Sequence, residues 1–164
     1  MQIRNEKAQD RSSIATLIAK TYLADGARTI EVTGILRDMP EYSEKHAFIA
    51  EEDDKAVAYA LFTKLKVGEK GEALLLAPLA VDTKEDVDVD KFLLQVFEKL
   101  KDQGCDLILM HGSVEQYHDL GFDVASKLGI DDGISVEGVD LLLKNISGKA
   151  VTEAGTVNLP ECLR

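Results

Sequence analysis

Tyr117 is the residue of this sequence whose type and position most directly suggest acid catalysis. It lies four residues before Gly121-Phe122, on the element that follows the apolar stretch at 107–110. A phenol at the opening of a sheet can donate a proton to a leaving thiolate, because the two groups have acidities of similar order. The spacing alone does not favour this role over a tyrosine that fills the space between a helix and the sheet. Both interpretations therefore stay open.

The three histidines and two cysteines carry weaker signals. His46, His111 and His118 are far apart in sequence, although His111 ends a predicted strand and His118 lies in the next helix, so these two could approach each other. At such isolated positions a structural histidine is the more frequent outcome. Cys105 begins an apolar strand, where cysteine behaves as a small hydrophobe. With Cys162 it forms neither a disulfide framework nor a paired metal motif.

The acidic run at 86–90 has the D-x-D-x-D spacing with which a calcium-binding loop opens. That loop also needs glycine at its sixth position and a bidentate glutamate at its twelfth. Lys91 and Phe97 occupy those two positions. The sequence therefore predicts no calcium loop here and no metal site elsewhere.

The charge balance argues against several classes of function. The chain has 164 residues, with 30 acidic against 19 basic side chains and a formal net charge of −11. Nucleic-acid binding depends on lysine and arginine contacts to phosphates, which this balance disfavours. The apolar run Ala73–Ala80 is far shorter than the roughly 20 residues of a membrane span, and residues 1–10 lack the apolar segment of a secretory signal. We therefore expect a folded cytoplasmic protein that binds neither nucleic acid nor membrane.

Apolar periodicity divides the first half of the chain into four strands and two helices. Asp10 is a plausible N-cap for the first helix, and Pro40 stops the second. In chain order the predicted elements are a strand at Met1–Asn5, helices from Asp10 to about Gly26 and at Thr29–Arg37, and strands at His46–Glu51, Ala56–Val67 and Glu72–Val81. The last three strands are joined by short turns, which predicts an antiparallel meander.

After residue 81 the period changes to that of a helix, and strands then return. The predicted elements are a helix at Asp90–Gln103, a buried strand at Leu107–Met110, helical turns at Val114–Leu120, a strand from Gly121, and a last strand at Val136–Lys144. A strand, a helix and a neighbouring strand make a crossover, so part of the sheet is predicted to be parallel. We expect one domain at residues 1–147 and a loosely tied tail at 148–164.

Three motifs in this order carry a resemblance to a known family. They are Ala77-Pro78-Leu79-Ala80-Val81 in the predicted fourth strand, Tyr117-His-Asp-Leu-Gly121-Phe122, and the N-terminal Ile3-Arg4-x-Glu6. With the element order, they resemble the GNAT N-acetyltransferase superfamily, and within it the small bacterial group whose fourth strand reads A-P-L-A-V. The resemblance runs from residue 1 to about residue 144. It implies an α/β (α+β) GNAT acyl-CoA N-acyltransferase fold with a mixed, mostly antiparallel central sheet flanked by helices.

The resemblance also implies a reaction and a set of site residues. The cosubstrate would be acetyl-CoA, the acceptor a small-molecule amine or a protein amino group, and C-terminal strands of such folds often meet across a homodimer. Tyr117 would protonate the departing CoA thiolate, and Glu31 is a candidate base acting through water. Pantetheine would bind backbone groups of the fourth strand, and the pyrophosphate would face the N-terminus of the crossover helix. The implied cofactor-binding residues are Leu79, Ala80, Val81, Val87, Asp88, Val89, Asp90 and Ser113.

The phosphate loop departs from the family pattern. The family reads roughly Arg/Gln-x-x-Gly-x-Gly/Ala, whereas here Asp86 stands in the place of arginine, and Val87 and Val89 stand at the glycine positions. Residues 82–90 carry a net charge of −4. At about 6 Å each carboxylate–phosphate pair costs roughly 2 to 3 kcal/mol before screening. The sequence thus predicts a degenerate pyrophosphate loop.

Two functions follow from these observations. The first is an acetyl-CoA-dependent N-acetyltransferase, favoured by Tyr117 and the fourth strand. The second is a non-catalytic GNAT-fold module that binds a protein or another ligand as a regulator, favoured by the acidic loop without glycine.

Overall fold

A seven-stranded sheet in the order β1-β2-β3-β4-β5-β8-β6 and a two-stranded sheet of β7 and β9 form the framework of the computed structural model, which describes residues 1–134 and 136–164. The strands are β1 (Gln2–Asn5), β2 (Ala47–Glu52), β3 (Lys55–Val67), β4 (Gly71–Val81), β5 (Leu107–Gly112), β6 (Asp123–Val124), β7 (Ile130–Asp131), β8 (Asp140–Asn145) and β9 (Gly155–Thr156). The helices are α1 (Arg11–Tyr22), α2 (Gly26–Arg37), α3 (Val89–Asp102) and α4 (Val114–Tyr117). Within the described ranges, no helix is long and apolar enough to cross a membrane.

Strand directions confirm the mixed, mostly antiparallel sheet. The pairs β1–β2, β2–β3, β5–β8 and β6–β8 are antiparallel. Strand β5 runs parallel to β4, with Leu74 opposite Ile108 and Leu75 opposite Leu109. Helix α3 makes the crossover between these two strands, as the change of period predicted.

The chain forms two compact units, which we call the N-terminal unit (residues 1–63 and 77–96) and the C-terminal unit (residues 64–76 and 97–164). In the N-terminal unit, α1 and α2 bury apolar side chains such as Ile14, Leu17 and Leu36. A Cβ at Gly26 would lie 3.0 Å from the Cα of Ala19, so the absence of a side chain lets the two helices approach closely.

A buried carboxylate joins three elements of the N-terminal unit. Glu6 follows β1 and is only 1% exposed. It accepts hydrogen bonds from the Arg37 guanidinium, from the Tyr42 hydroxyl at 2.9 Å and from the Tyr59 hydroxyl at 3.1 Å. The Arg37 guanidinium also lies 5.9 Å from the centre of the Tyr59 ring. The charge of Glu6 is therefore balanced by one cation and solvated by two phenols in place of water.

Alkaline pH should destabilise the protein through these two phenols. Burial, reinforced by the charge of Glu6, raises the pKa of Tyr59 and of Tyr42 well above the usual tyrosine value of about 10. Above pH 10 the unfolded chain releases protons that the folded chain keeps, so the free energy of unfolding falls as pH rises. Urea unfolding measured between pH 8 and 11 should show this loss, and the slope should be shallower in Tyr59→Phe. An equally steep slope in that variant would contradict the assignment.

The C-terminal unit has a core to which the end of the chain contributes. Its buried cluster is formed by Leu65, Val67, Ala73, Leu75, Leu107, Leu109, Ala125, Ile130, Leu143, Val157 and Leu159. Strand β9 pairs with β7, and the Val157 amide donates to the Asp131 carbonyl at 2.8 Å. Residues 148–164 are thus not the loosely tied tail that their low apolar content predicted, because a few buried side chains and backbone hydrogen bonds fix them. The domain boundary at 147 stays a prediction.

Three element boundaries differ by three residues or more from the sequence-based expectation, and one of them is the end of α1, which lies at Tyr22 and not near Gly26. Strand β8 begins four residues later than predicted because Val136 and Val139 form an isolated bridge around a turn, in which Gly138 has a φ of +77°. Helix α2 begins at Gly26, three residues before its predicted start. The direction of the chain changes at Leu23, which has a φ of +51°, and Gly26 itself is helical.

Candidate active site

Tyr117 lies against the carboxyl end of β5 in the C-terminal unit. A Cβ at Gly112, the last residue of β5, would come within 2.8 Å of Cε2 of the Tyr117 ring. The ring also makes an edge contact with Phe122, at 6.2 Å between centroids. Glycine at position 112 therefore makes the space into which the aromatic ring fits. Both sequence interpretations of Tyr117 are compatible with this geometry, since the side chain packs and lies beside the end of a strand.

Backbone conformation explains the spacing between Tyr117 and Gly121-Phe122. Gly121 has a φ of +92°, a conformation that side chains with a Cβ rarely adopt, and it ends the helical turn after α4. Phe122 is buried and packs edge-on against Phe97 at 5.9 Å. The Lys144 ammonium group donates to the Leu120 carbonyl and lies 5.8 Å from the centre of the Phe97 ring, and burial lowers its pKa. The motif thus anchors the segment that carries Tyr117.

Side chains of α1 occupy the edge of β4 that was predicted to bind pantetheine. The Tyr22 hydroxyl donates to the Leu79 carbonyl at 2.8 Å. The Thr21 hydroxyl accepts from the Val81 amide at 3.1 Å, and its single proton is shared between the Val81 and Leu17 carbonyls, both at 2.9 Å. Because strand residues alternate, Leu79 and Val81 present their backbone groups to one edge and Ala80 to the other. A ligand that binds Val81 through its backbone must replace the Thr21 hydroxyl.

The first carboxylate of the acidic loop points into the N-terminal unit. Asp82 is 1% exposed and accepts a hydrogen bond from the Lys84 amide at 3.0 Å. Its carboxylate lies 3.3 Å from the Lys55 ammonium nitrogen and 3.8 Å from that of Lys20. The Lys84 amide, followed by the Lys55 ammonium group, holds the pKa of Asp82 below its usual value.

These lysines reduce the charge that the sequence assigned to the loop. Lys55 also binds Glu85 at 3.1 Å, so two cations from α1 and β3 offset part of the net charge of −4 that residues 82–90 carry. A groove of about 250 Å³ lies beside them, with Ser13 and Thr16 of α1 in its wall. The neutralising lysines are distant in sequence, and Asp54 also lines this groove, so the degenerate pyrophosphate loop stays a prediction.

Asp88 caps the N-terminus of α3. Its carboxylate accepts from the Lys91 amide at 3.0 Å, and its carbonyl accepts from the Phe92 amide at 3.0 Å. Val87 and Val89 are half-buried on either side of the cap. The implied cofactor-binding segment, residues 87–90, thus forms the start of a helix in which one amide is already bound to a carboxylate.

Two other residues implied by the resemblance make few contacts. Glu31 is on an exposed face of α2, where its carboxylate, 64% exposed, pairs with Arg28 at 3.2 Å. Ser113 occupies the N-cap position of α4, and its side chain makes no capping hydrogen bond. The surroundings of Glu31 are those of a solvated ion pair, and its role as a base stays a prediction.

One histidine is bound to a buried carboxylate that the sequence analysis did not single out. Nε2 of His111 lies 2.6 Å from Oδ2 of Asp132. His118, in contrast, is exposed and lies 3.9 Å from Asp119. The only sequence signal for Asp132 is its place in a turn after a two-residue strand, and such turns commonly contain aspartate for local reasons. Burial raises the pKa of the half-buried Cys105 thiol, which disfavours a thiolate nucleophile.

The fold of this chain is that of GNAT N-acetyltransferases in solved structures. A GNAT family N-acetyltransferase (YhbS) from Escherichia coli, in complex with CoA, has a TM-score of 0.85 and 20% identity, covering 99% of this chain and 91% of that chain. A GNAT family acetyltransferase from Brucella melitensis, in complex with acetyl-CoA, has a TM-score of 0.73 and 16% identity, covering 99% and 97%. The ribosomal-protein-S18-alanine N-acetyltransferase from Escherichia coli has a TM-score of 0.63 and 13% identity, covering 92% and 97%.

Neither a protein-family model nor a curated protein matches this sequence. The structural likeness confirms the fold that the motifs predicted from sequence.

Proposed function

We propose that this protein is an acetyl-CoA-dependent N-acetyltransferase that acts on an amine in the cytoplasm. The observation that carries the proposal is the fit of the Tyr117 ring over Gly112 at the end of β5, anchored by the left-handed Gly121. CoA and acetyl-CoA are bound in the Escherichia coli and Brucella structures of the same fold. The net charge of −11 suits a cationic acceptor, whether a small amine or a protein amino group.

In this proposal Tyr117 supplies the proton for the departing CoA thiolate. The backbone carbonyls of Leu79 and Val81 accept hydrogen bonds from the pantetheine amides once the Thr21 and Tyr22 hydroxyls have moved away. Lys20 and Lys55, which already reduce the negative charge beside the loop, are the cations available to the phosphates in place of the missing arginine. Acetyl-CoA is the cosubstrate.

A non-catalytic GNAT-fold module is the second candidate. Two observations favour it. The Thr21 hydroxyl of α1 accepts a hydrogen bond from the Val81 amide of β4, and the Asp88 carboxylate accepts one from an amide in the first turn of α3. Both contacts use backbone amides that a CoA-binding protein would leave free to form hydrogen bonds with its ligand. A protein that used this fold only to bind another partner would keep these contacts permanently.

Calorimetric titration with acetyl-CoA, at low and at physiological salt, separates the two functions. Micromolar binding is expected for the enzyme, and no binding up to millimolar concentration would contradict the enzyme and favour the non-catalytic module. The triple variant Asp86→Arg, Val87→Gly, Val89→Gly is titrated in parallel. It should bind more tightly because it removes one negative charge, adds one positive charge and restores close backbone approach.

Removing the Thr21 hydroxyl should strengthen acetyl-CoA binding. Thr21→Val keeps the shape of the side chain but frees both backbone groups of Val81, and a net hydrogen bond is worth about 1 kcal/mol, or roughly fivefold in affinity. Thr29→Val is the control, because the Thr29 hydroxyl makes the same kind of bond, to the Asp25 carbonyl four residues earlier, and lies outside the groove and the edge of β4. Equal affinities of the two variants would show that the edge of β4 does not bind the cofactor.

A further inference from the structure

The His111–Asp132 pair has the geometry of an oriented base. An ionised carboxylate only accepts hydrogen bonds, so in the neutral imidazole the 2.6 Å contact places the proton on Nε2 and leaves the lone pair on Nδ1. The Asp132 side chain is 2% exposed, and its second oxygen accepts from the Ile134 amide at 3.0 Å. No residue that the structure describes bonds Nδ1, and the His111 side chain is 32% exposed. Within residues 1–134 and 136–164, nothing competes with a ligand for this nitrogen.

His111 and Tyr117 lie on opposite faces of β5. Alternate residues of a strand share a face, so His111 continues the row of Leu107 and Leu109, while the space over Gly112 is filled by Tyr117 on the other face. Both residues are at the carboxyl end of the strand, where ligands bind in many sheets with parallel strands.

We propose that His111, oriented by Asp132, is the general base that deprotonates the acceptor amine, and this inference rests on the proposed acetyltransferase function. Nδ1 takes a proton from the ammonium form of the acceptor, and the free amine attacks the thioester carbonyl carbon. A C–N bond forms, the C–S bond breaks, and the thiolate takes its proton from Tyr117. The surplus proton on the new amide nitrogen passes to water, from which Tyr117 is reprotonated.

The surroundings of His111 suit this role better than those of Glu31. From β8, the apolar Leu141 faces His111, and Asp140 pairs with the neighbouring Gly112. Asp132 is the charged group in direct contact with the imidazole. Histidine changes charge near neutral pH, whereas an exposed glutamate is a weak base there. Asp132 is a positioning residue, because it acts through the imidazole.

The test measures thiol release from acetyl-CoA by wild type, His111→Gln, Asp132→Asn and His118→Gln between pH 5.5 and 9. Spermidine, kanamycin and an alanine-initiated peptide are the acceptors, and slow hydrolysis by water is measured as well. Glutamine keeps an amide donor for Asp132 but supplies no base. We expect kcat/KM to fall about 100-fold or more in His111→Gln, with loss of the acidic limb of the pH profile. His118→Gln, in which an exposed histidine is changed, should behave as wild type.

The Asp132→Asn variant shows whether the contact between Asp132 and His111 orients a base or only stabilises the fold. An asparagine amide can donate to Nε2 and thereby move the ring proton to Nδ1, so kcat/KM should fall in this variant while its melting temperature changes little. A His111→Gln enzyme with the wild-type rate and pH profile would overturn the role of His111 and leave the acetyltransferase proposal intact. A wild type that neither binds acetyl-CoA nor releases thiol would overturn both.

Discussion

Tyr117→Phe should lower kcat by about 100-fold or more while leaving the affinity for acetyl-CoA unchanged. Proton transfer by a positioned side chain contributes roughly 10² to 10⁴ in rate, and phenylalanine has no proton to give. The ring would keep its place, because its contacts with Gly112 and Phe122 are made by carbon atoms. Steady-state kinetics, with calorimetry on the same variant, measure the two effects separately. Unchanged turnover in this variant would exclude Tyr117 as the acid.

Gly112→Ala provides a companion variant that keeps the phenol. A Cβ at this position would lie 2.8 Å from the Tyr117 ring, closer than carbon atoms approach, so the ring must shift. Turnover should fall in this variant too, because the proton donor is displaced and a misplacement of about 1 Å can cost roughly 100-fold. If Tyr117 only packed between helix and sheet, Gly112→Ala would lower stability and leave turnover per folded molecule unchanged.

Glu6→Ala should destabilise the N-terminal unit by about 3 to 5 kcal/mol. Removing one partner of a buried ion pair leaves the other charge buried without compensation, and here that charge is the guanidinium of Arg37. The hydroxyls of Tyr42 and Tyr59 lose their acceptor at the same time. Urea unfolding at pH 7 measures the loss.

Two controls show whether this loss comes from the buried charge. Glu31→Ala removes an exposed ion pair with Arg28 and should change the free energy of unfolding by less than about 1 kcal/mol. The double variant Glu6→Leu, Arg37→Leu removes both charges and should be more stable than Glu6→Ala. A double variant less stable than Glu6→Ala would instead show that the network stabilises the fold by its hydrogen bonds.

Local patterns predicted most of the fold. The helical period at 92–100 placed α3 within one residue of Val89–Asp102, and the alternation at 56–67 placed β3 equally well. The end of the chain could not be predicted in this way. Val157 and Leu159 are too few to make a period, and β9 is defined by its hydrogen bonds to a distant two-residue strand.

In the candidate site, too, features that depend on local spacing could be predicted, and contacts between residues distant in sequence could not. The spacing of Tyr117 and Gly121-Phe122 is local, and it gave two interpretations of Tyr117 that are both compatible with the geometry. The neutralisation of Asp82 by Lys20 and Lys55, and the pairing of Asp132 with His111, depend on residues that meet only after folding. Adding up charges along the loop therefore left out these lysines, and an isolated histidine carried no sign of its carboxylate.

The hydroxyls of Thr21 and Tyr22 on the edge of β4 have a kinetic consequence. A ligand that needs this edge binds only those molecules in which the last turn of α1 has moved away, so the observed dissociation constant is the intrinsic one divided by the open fraction. In stopped-flow mixing, the rate of association should then level off at high ligand concentration, at the rate of opening. Helix α1 would thus set how fast the protein accepts its cosubstrate, independently of how tightly it finally holds it.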